Sequence, residues 1–305
     1  MAPEPTGLVF PGQGTQRPGM GAPWRDTPAW AVVDEVSECT GQDIGELLLS
    51  TPAEQLRRTD LAQLAVFSVA MMAHDDLMRR GRTDSIIACA GHSLGEYAAM
   101  VAAGALSLRD GAVLVAARGQ AMRDAAQAHP GTMGVLVGAA LADVEDLVRG
   151  VRESGASLWL ANINAPGQVV VSGTEDGVER AALGAPGIGA KMIRVPVGGA
   201  FHSPFMASAA ERLGEALKNV VFAPRHLPVV ANVDAEPWSG DGDWADAVTR
   251  QLTQPVLWER SVRTLTERLG CRRLIELGPG RTLSGMIRRI DPGIDVVTVD
   301  GPGAP

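Results

Sequence analysis

A short apolar run, Ile86 to Ala90, passes without a linker into Gly91-His92-Ser93-Leu94-Gly95 and then into the small-residue helix pattern that ends at Gly104. This is G-x-S-x-G in a strand–turn–helix setting, and no other stretch narrows the fold as much. The chain must leave a strand, reverse and enter a helix within a few residues. Side chains at 91 or 95 would obstruct both the backbone angles and the close strand–helix approach. The turn lifts Ser93 to the start of a helix, where free N–H groups and the positive end of the dipole favour an oxyanion. The same letters also spell S-x-x-E, an ordinary capping box built on Ser93 and Glu96. A cap needs neither flanking glycines nor a preceding apolar strand, so the nucleophile is the favoured reading.

With 305 residues the chain can form one large domain with an insertion, or two domains. Apolar residues at 46% and charged residues at 20% fit a soluble globular protein. A formal charge of −8 argues against nucleic-acid binding, which needs a basic face. The longest apolar run, Leu64 to Ala73, is too short to span a bilayer. Met-Ala-Pro-Glu-Pro-Thr lacks the basic and apolar regions of a signal peptide. Cys39, Cys89 and Cys271 are few, odd in number and far apart, which points to a reducing compartment and no metal site. The expectation is a cytoplasmic protein with no membrane or nucleic-acid partner.

Leu8-Val9-Phe10 reads as a buried strand followed by the glycine-rich turn Pro11-Gly12-Gln13-Gly14-Thr15-Gln16, at the strand end where α/β sheets bind ligands. An oxyanion hole takes one N–H from the residue after the nucleophile, here Leu94, and one from another loop such as this turn. Leu61 to Met78 predicts a long apolar helix; Gln63, a polar residue inside it, could line a pocket, although an exposed glutamine is the commoner outcome. Ser107 opens another helix, and at 100° per residue Arg118 falls in the middle of its apolar stripe, among Leu114, Val115, Ala121, Met122 and Ala125. A buried arginine must pair with an anion. A protein carboxylate and a substrate carboxylate are equally consistent with the pattern.

Between residues 131 and 197 the pattern reads β-α-β-β-α-β: strands Thr132–Gly138, Leu158–Asn162, Gln168–Ser172 and Lys191–Val197, with helices Leu141–Glu153 and Thr174–Leu183. The fold class is therefore α/β. A hydrolase-like large domain with a parallel sheet spans residues 1–130 and 198–305, and a ferredoxin-like small domain, 131–197, is inserted in it, leaving a cleft for substrate. After the stretches Leu227 to Val233 and Gln251 to Val256, Leu274 to Leu277 reads as a further strand, a basic helix runs to Ile290, and the closing Gly-Pro-Gly-Ala-Pro is a tail.

Of the five histidines, His202 is the best base for Ser93, being flanked by glycines and Phe201 at the re-entry into the large domain. His92 adjoins the serine and should point away. His74 and His129 sit among charged or turn residues, and His226 lies in a surface connection. No acid between Ser93 and His202 sits clearly at a strand end, which favours a dyad over a triad.

Gly91-His92-Ser93-Leu94-Gly95-Glu96, Phe10-Pro11-Gly12-Gln13-Gly14, Arg118, Asn164-Ala165-Pro166-Gly167-Gln168, Phe201-His202-Ser203 and Leu277-Gly278-Pro279-Gly280 occur in the order found in malonyl-CoA:acyl carrier protein transacylases, which the chain resembles over nearly its whole length. The spelling Gly199-Ala200-Phe201-His202-Ser203 is similar to the discrete acyltransferases that serve polyketide synthases. The resemblance implies that Ser93 carries the acyl group and that His202 is its base, oriented by the backbone carbonyl of Gln251. It also implies an oxyanion hole from the N–H groups of Gln13 and Leu94, a malonyl carboxylate clamped by Arg118, and a pocket lined by Gln63 and Asn162. Leu64 stands where the family usually has proline. Phe201, just before the base, leaves little room for an α-methyl branch on the acyl group. The implied reaction is ping-pong transfer from malonyl-CoA to a carrier-protein thiol, with no cofactor beyond the CoA thioester and a monomer as the expected state. A serine hydrolase shares the elbow and base but needs no buried arginine. A non-catalytic docking subunit would leave Ser93 unacylated.

Overall fold

The computed structural model describes residues 4–81, 85–240 and 242–304. Met1-Ala2-Pro3, part of the stretch read for a leader, and Pro305 of the tail lie outside the described residues.

Among the described residues ten strands form two sheets: β1 (Thr6–Phe10), β2 (Ile86–Gly91), β3 (Thr132–Val137), β4 (Leu158–Ala165), β5 (Gln168–Gly173), β6 (Lys191–Val195), β7 (Val229–Val230), β8 (Pro237–Trp238), β9 (Arg273–Leu277) and β10 (Asp295–Val299). The larger sheet has the order β10-β9-β1-β2-β7-β8. It is parallel from β10 to β7, and β8 pairs antiparallel at the edge. All five residues of β1 are buried, as expected of a parallel strand covered on both faces. Its alternate side chains serve two cores. Leu8 and Phe10 pack with the Thr59–Arg79 helix, while Val9 packs with Trp258, Leu283 and Ile287 on the other side. The turns after β1, β2 and β9 all open at the carboxyl edge of this sheet, where ligands bind in open α/β folds.

The smaller sheet, β4-β5-β3-β6, is wholly antiparallel. The helices Leu141–Glu153 and Glu175–Gly184 close a separate apolar core over it. Met133 and Val170 point the other way and join the main core. Asn162 on β4 bridges to Val256, tying the two parts together at the cleft.

The helices that carry the candidate site, Thr59–Arg79 and Leu108–Ala128, lie against each other. Gly119 permits the contact: a Cβ there would lie 2.9 Å from the Cα of Asp60. This close approach brings Arg118 within reach of Gln63. Among the described residues no helix is long and apolar enough to cross a membrane.

Three segments differ from the sequence reading. The strand expected over Leu158–Asn162 continues to Ala165, leaving Pro166-Gly167 as the whole turn. The strand expected over Lys191–Val197 ends at Val195. In the stretch Leu227–Val233 only Val229–Val230 forms a strand, because Asn232 is drawn off the ladder to bond Gly91, Ser93 and Glu96. Asp295–Val299 is a strand that the sequence reading passed over; it is a half-buried edge strand with little alternation to announce it.

Candidate active site

The elbow is sterically closed. A Cβ on Gly91 would lie 1.9 Å from the carbonyl carbon of Gly95, and one on Gly95 would lie 2.1 Å from the carbonyl oxygen of Phe10. Between them Ser93 has φ 52°, the left-handed region that disfavours side chains by about 1–3 kcal/mol. Its surroundings hold it there. The Ser93 N–H donates to Asn232 Oδ1 at 2.7 Å, and Asn232 Nδ2 donates to the carbonyl of Gly91 at 2.7 Å. Ser93 does not cap the helix that follows, Gly95–Ala103: Leu94 occupies the cap position and no side chain bonds there. Glu96 does not reach back to Ser93 as a capping box requires. It accepts instead from the Asn232 N–H at 2.6 Å and from Gln251 Nε2 at 2.5 Å.

Ser93 Oγ stands 2.8 Å from His202 Nε2, and His202 Nδ1 stands 2.8 Å from the Gln251 carbonyl oxygen. A carbonyl only accepts, so Nδ1 carries the proton and Nε2 presents its lone pair to the serine hydroxyl. Burial, with the nearby Arg118 charge, pushes the His202 pKa down to about 3, so the imidazole is neutral at physiological pH. His202 also has a left-handed backbone, φ 55°. Among the described residues the place of a triad acid is taken by the Gln251 carbonyl and by no carboxylate. His92 points elsewhere, with Nε2 at 2.8 Å from Asn164 Oδ1. His74, next to Asp75 and Asp76, lies in the Thr59–Arg79 helix with Nε2 buried, and burial pushes its pKa down to about 4.

Arg118 is 1% exposed. Nη1 donates to Gln63 Oε1 at 2.7 Å, and Nη2 donates to Gln251 Oε1 at 2.9 Å and to Ser93 Oγ at 3.0 Å. Among the described residues no carboxylate forms an ion pair with it. Its guanidinium also lies 5.6 Å from the centre of the Tyr97 ring. Of the two places open to Gln63, the exposed one is excluded: it is fully buried and holds Arg118 from the side. Its Nε2 lies 3.2 Å from Met122 Sδ, and Leu64 after it leaves the helix unbroken.

These groups meet in a pocket of about 230 Å³ between the two sheets. Gln13, Ser93, Arg118 and His202 form its polar end. Met133, Val135 and Val170 of the smaller sheet form an apolar wall, with Asn162 and Phe201 beside them. Thr282, Leu283 and Met286, from the Thr282–Ile290 helix, complete the rim. Within the described residues the backbone N–H groups of Gln13 and Leu94 have no hydrogen-bond partner. A hydroxyl shared between a neutral imidazole and a cation, beside two free N–H donors, is equipped to attack an acyl carbon and receive the oxyanion.

The structure thus brings together Gln13, Gln63, Ser93, Leu94, Arg118, Asn162, Phe201, His202 and Gln251. The sequence reading gave no site role to Glu96, Asn232, Asn164 or the side chain of Gln251. One signal existed for Asn232, an asparagine directly after the apolar Val229-Val230-Ala231 run.

The family model described as "Acyl transferase domain" matches residues 8–287. The malonyl CoA-acyl carrier protein transacylase of Bacillus subtilis is 37% identical over 298 residues, covering 97% of this chain and 93% of that protein. The crystal structure of the malonyl-CoA:acyl carrier protein transacylase of Xanthomonas oryzae superposes with a TM-score of 0.92 at 37% identity, covering 100% of this chain and 97% of that one. A malonyl-transacylase solved in complex with a type II PKS acyl-carrier protein matches with a TM-score of 0.91 at 32% identity, over 97% of this chain and 96% of that one. The match runs from β1 into the rim helix and takes in every element of the pocket, so the chain belongs to the acyl transferase domain family.

Proposed function

We propose that this protein moves a malonyl group from coenzyme A to the phosphopantetheine thiol of an acyl carrier protein. The observation that carries this reading is Arg118, a buried guanidinium whose hydrogen-bond acceptors are all neutral and which lies 3.0 Å from the nucleophile. A malonyl carboxylate stands one methylene from the reacting carbonyl. On a Ser93 ester it falls where the guanidinium can exchange the serine oxygen for two carboxylate oxygens. A hydrolase of simple esters has no use for such a cation. The family relationship supports the same activity.

The chemistry follows from the hydrogen bonds. Ser93 Oγ attacks the thioester carbonyl while its proton passes to His202 Nε2. The oxyanion is received by the N–H groups of Gln13 and Leu94. As it collapses, the carbon–sulfur bond breaks and the CoA sulfur takes the proton from His202. The carrier thiol then enters, gives its proton to His202 and attacks the ester. Ser93 leaves and recovers the proton. In this reading residues 131–197 are an insertion between 1–130 and 198–305 that supplies the apolar wall against water, no cofactor takes part, and the chain acts as a monomer in the cytoplasm.

Arg118→Ala tests the reading. Losing one partner of a buried charge pair costs about 2–5 kcal/mol, or roughly 30-fold to several-thousand-fold. Malonyl loading of Ser93 should fall by that order, with acetyl loading spared or raised. If both fall together in intact-mass measurements, Arg118 is structural and the substrate class is wrong.

The carrier's docking surface is proposed on the rim helix. Arg281, Arg288 and Arg289 are exposed there, and none forms an ion pair among the described residues. A local basic patch suits an acidic carrier despite the net charge of −8. Reversing Arg288 and Arg289 to glutamate should raise the carrier KM severalfold and leave loading from CoA unchanged. Unaltered carrier kinetics would remove this helix from the docking surface.

A further inference from the structure

The side chain of Gln251 lies at the centre of a buried polar cluster that the reaction scheme does not use. Its Oε1 accepts from Arg118 Nη2 at 2.9 Å. Its Nε2 donates to the Ser93 carbonyl oxygen at 2.9 Å and to Glu96 Oε2 at 2.5 Å. The amide orientation is fixed from two sides. A guanidinium has only donors and must face the amide oxygen, whereas a backbone carbonyl only accepts and must face the NH₂. Glu96 therefore meets an N–H at each oxygen, from Gln251 and from the Asn232 backbone, and its position offers no acceptor for a carboxyl proton. Burial raises the Glu96 pKa to about 8, against the pull of these donors and the Arg118 charge, and with an N–H facing each oxygen the carboxylate is the form that the site's geometry fits. Glu96 is 1% exposed and Gln251 is fully buried, so no solvent stands in for a lost partner.

From this arrangement we propose that Glu96 is a positioning residue for substrate selection: its carboxylate holds the Gln251 amide so that Arg118 stays aimed at the acyl carboxylate beside Ser93. The cation and anion do not touch. They are joined through one amide, which leaves the second Nη1 hydrogen, and the Nη2 hydrogen now on Ser93 Oγ, to turn to a substrate carboxylate. The same glutamine presents its backbone carbonyl to His202, so a single residue ties the acyl-selecting cation to the base. Glu96 also anchors Asn232, whose side chain holds the Ser93 N–H.

The proposal rests on the malonyl-transfer reading, and the test separates the two. Wild-type protein, Glu96→Gln and Gln251→Met are each mixed with malonyl-CoA or acetyl-CoA, and the rate of the Ser93 adduct is followed by rapid-quench intact mass. Glutamine at 96 has a single oxygen for two donors, so the amide of Gln251 loses its fixed orientation. Methionine at 251 keeps the main-chain carbonyl and removes the amide. In both variants the malonyl-to-acetyl ratio should fall by about tenfold or more, carried mainly by KM for malonyl-CoA. The double variant should fall little further than either single one, because both break one connection. A ratio within twofold of wild type in the single variants, or equal losses on both substrates, would overturn the positioning role. Where Glu96→Gln yields no folded protein, Gln251→Met decides on the same ratio. A wild-type protein that takes no malonyl at Ser93 would instead sink the malonyl-transfer reading.

Discussion

Ser93→Ala leaves no acyl adduct on the protein after incubation with malonyl-CoA. The expectation is absolute because the structure supplies no substitute: among the described residues the elbow geometry belongs to Ser93 alone, and only its Oγ lies 2.8 Å from the His202 lone pair. The rest of the pocket is untouched by the change. Gln63 and Gln251 still hold Arg118, and Asn232 still holds the residue 93 N–H. The variant should therefore keep its affinity for malonyl-CoA while its turnover vanishes. Intact-mass spectrometry and a binding titration on the same sample check both halves. A persistent malonyl mass shift would place the nucleophile elsewhere.

His202→Ala gives the second largest effect. A positioned general base contributes on the order of 10²–10⁴ in rate, and both half-reactions need it. Loading from CoA and unloading to the carrier should slow together by that order. The wild-type pH profile carries further information. Because the His202 pKa is lowered to about 3, the free enzyme keeps a neutral imidazole throughout the range where an ordinary histidine gains its proton. As pH falls from 8 to 5, kcat/KM for acetyl loading, which does not draw on the Arg118–Gln251–Glu96 connection, should stay nearly level, with no loss centred on the usual histidine value of about 6.5. A clear acid limb at that value would mean that the base is more solvated than the structure has it.

The parts of the site that the sequence disclosed are those whose chemistry demands a residue type within a local pattern. Ser93 is marked by its glycines, and the steric distances at Gly91 and Gly95 give the physical reason. Arg118 is marked by a charge in an apolar helical stripe, and it is indeed buried. His202 is marked by elimination among five histidines. What stayed hidden acts through groups that every residue owns or that many residues share. The base is oriented by a backbone carbonyl, and nothing in the residues around Gln251 announces it; only the resemblance to the transacylases implied that role. Glu96 reads in isolation as the last letter of a capping box, because its real partners, Asn232 and Gln251, lie more than a hundred residues away in the chain. The fold shows the same division. The long buried helix and the βαββαβ unit follow from periodicity, whereas the two-residue β7 is shortened by a side-chain contact that no local pattern encodes.

The distances along the chain between partners in the pocket have a consequence for biosynthesis. Ser93 meets His202 across 109 residues and Gln251 across 158, and both contacts span the whole of the smaller sheet. The nucleophile and its oxyanion donors are made early in translation, but the residue that orients the base is made late. A nascent chain that has made only its first half holds the serine and Arg118, but it has no base, no Gln251 to hold the cation and only part of the apolar wall. Such a chain cannot trap or squander CoA thioesters while it waits on the ribosome. Acyl transfer begins only when the last third of the polypeptide has closed over the first, so activity itself reports that the long-range loops have been completed.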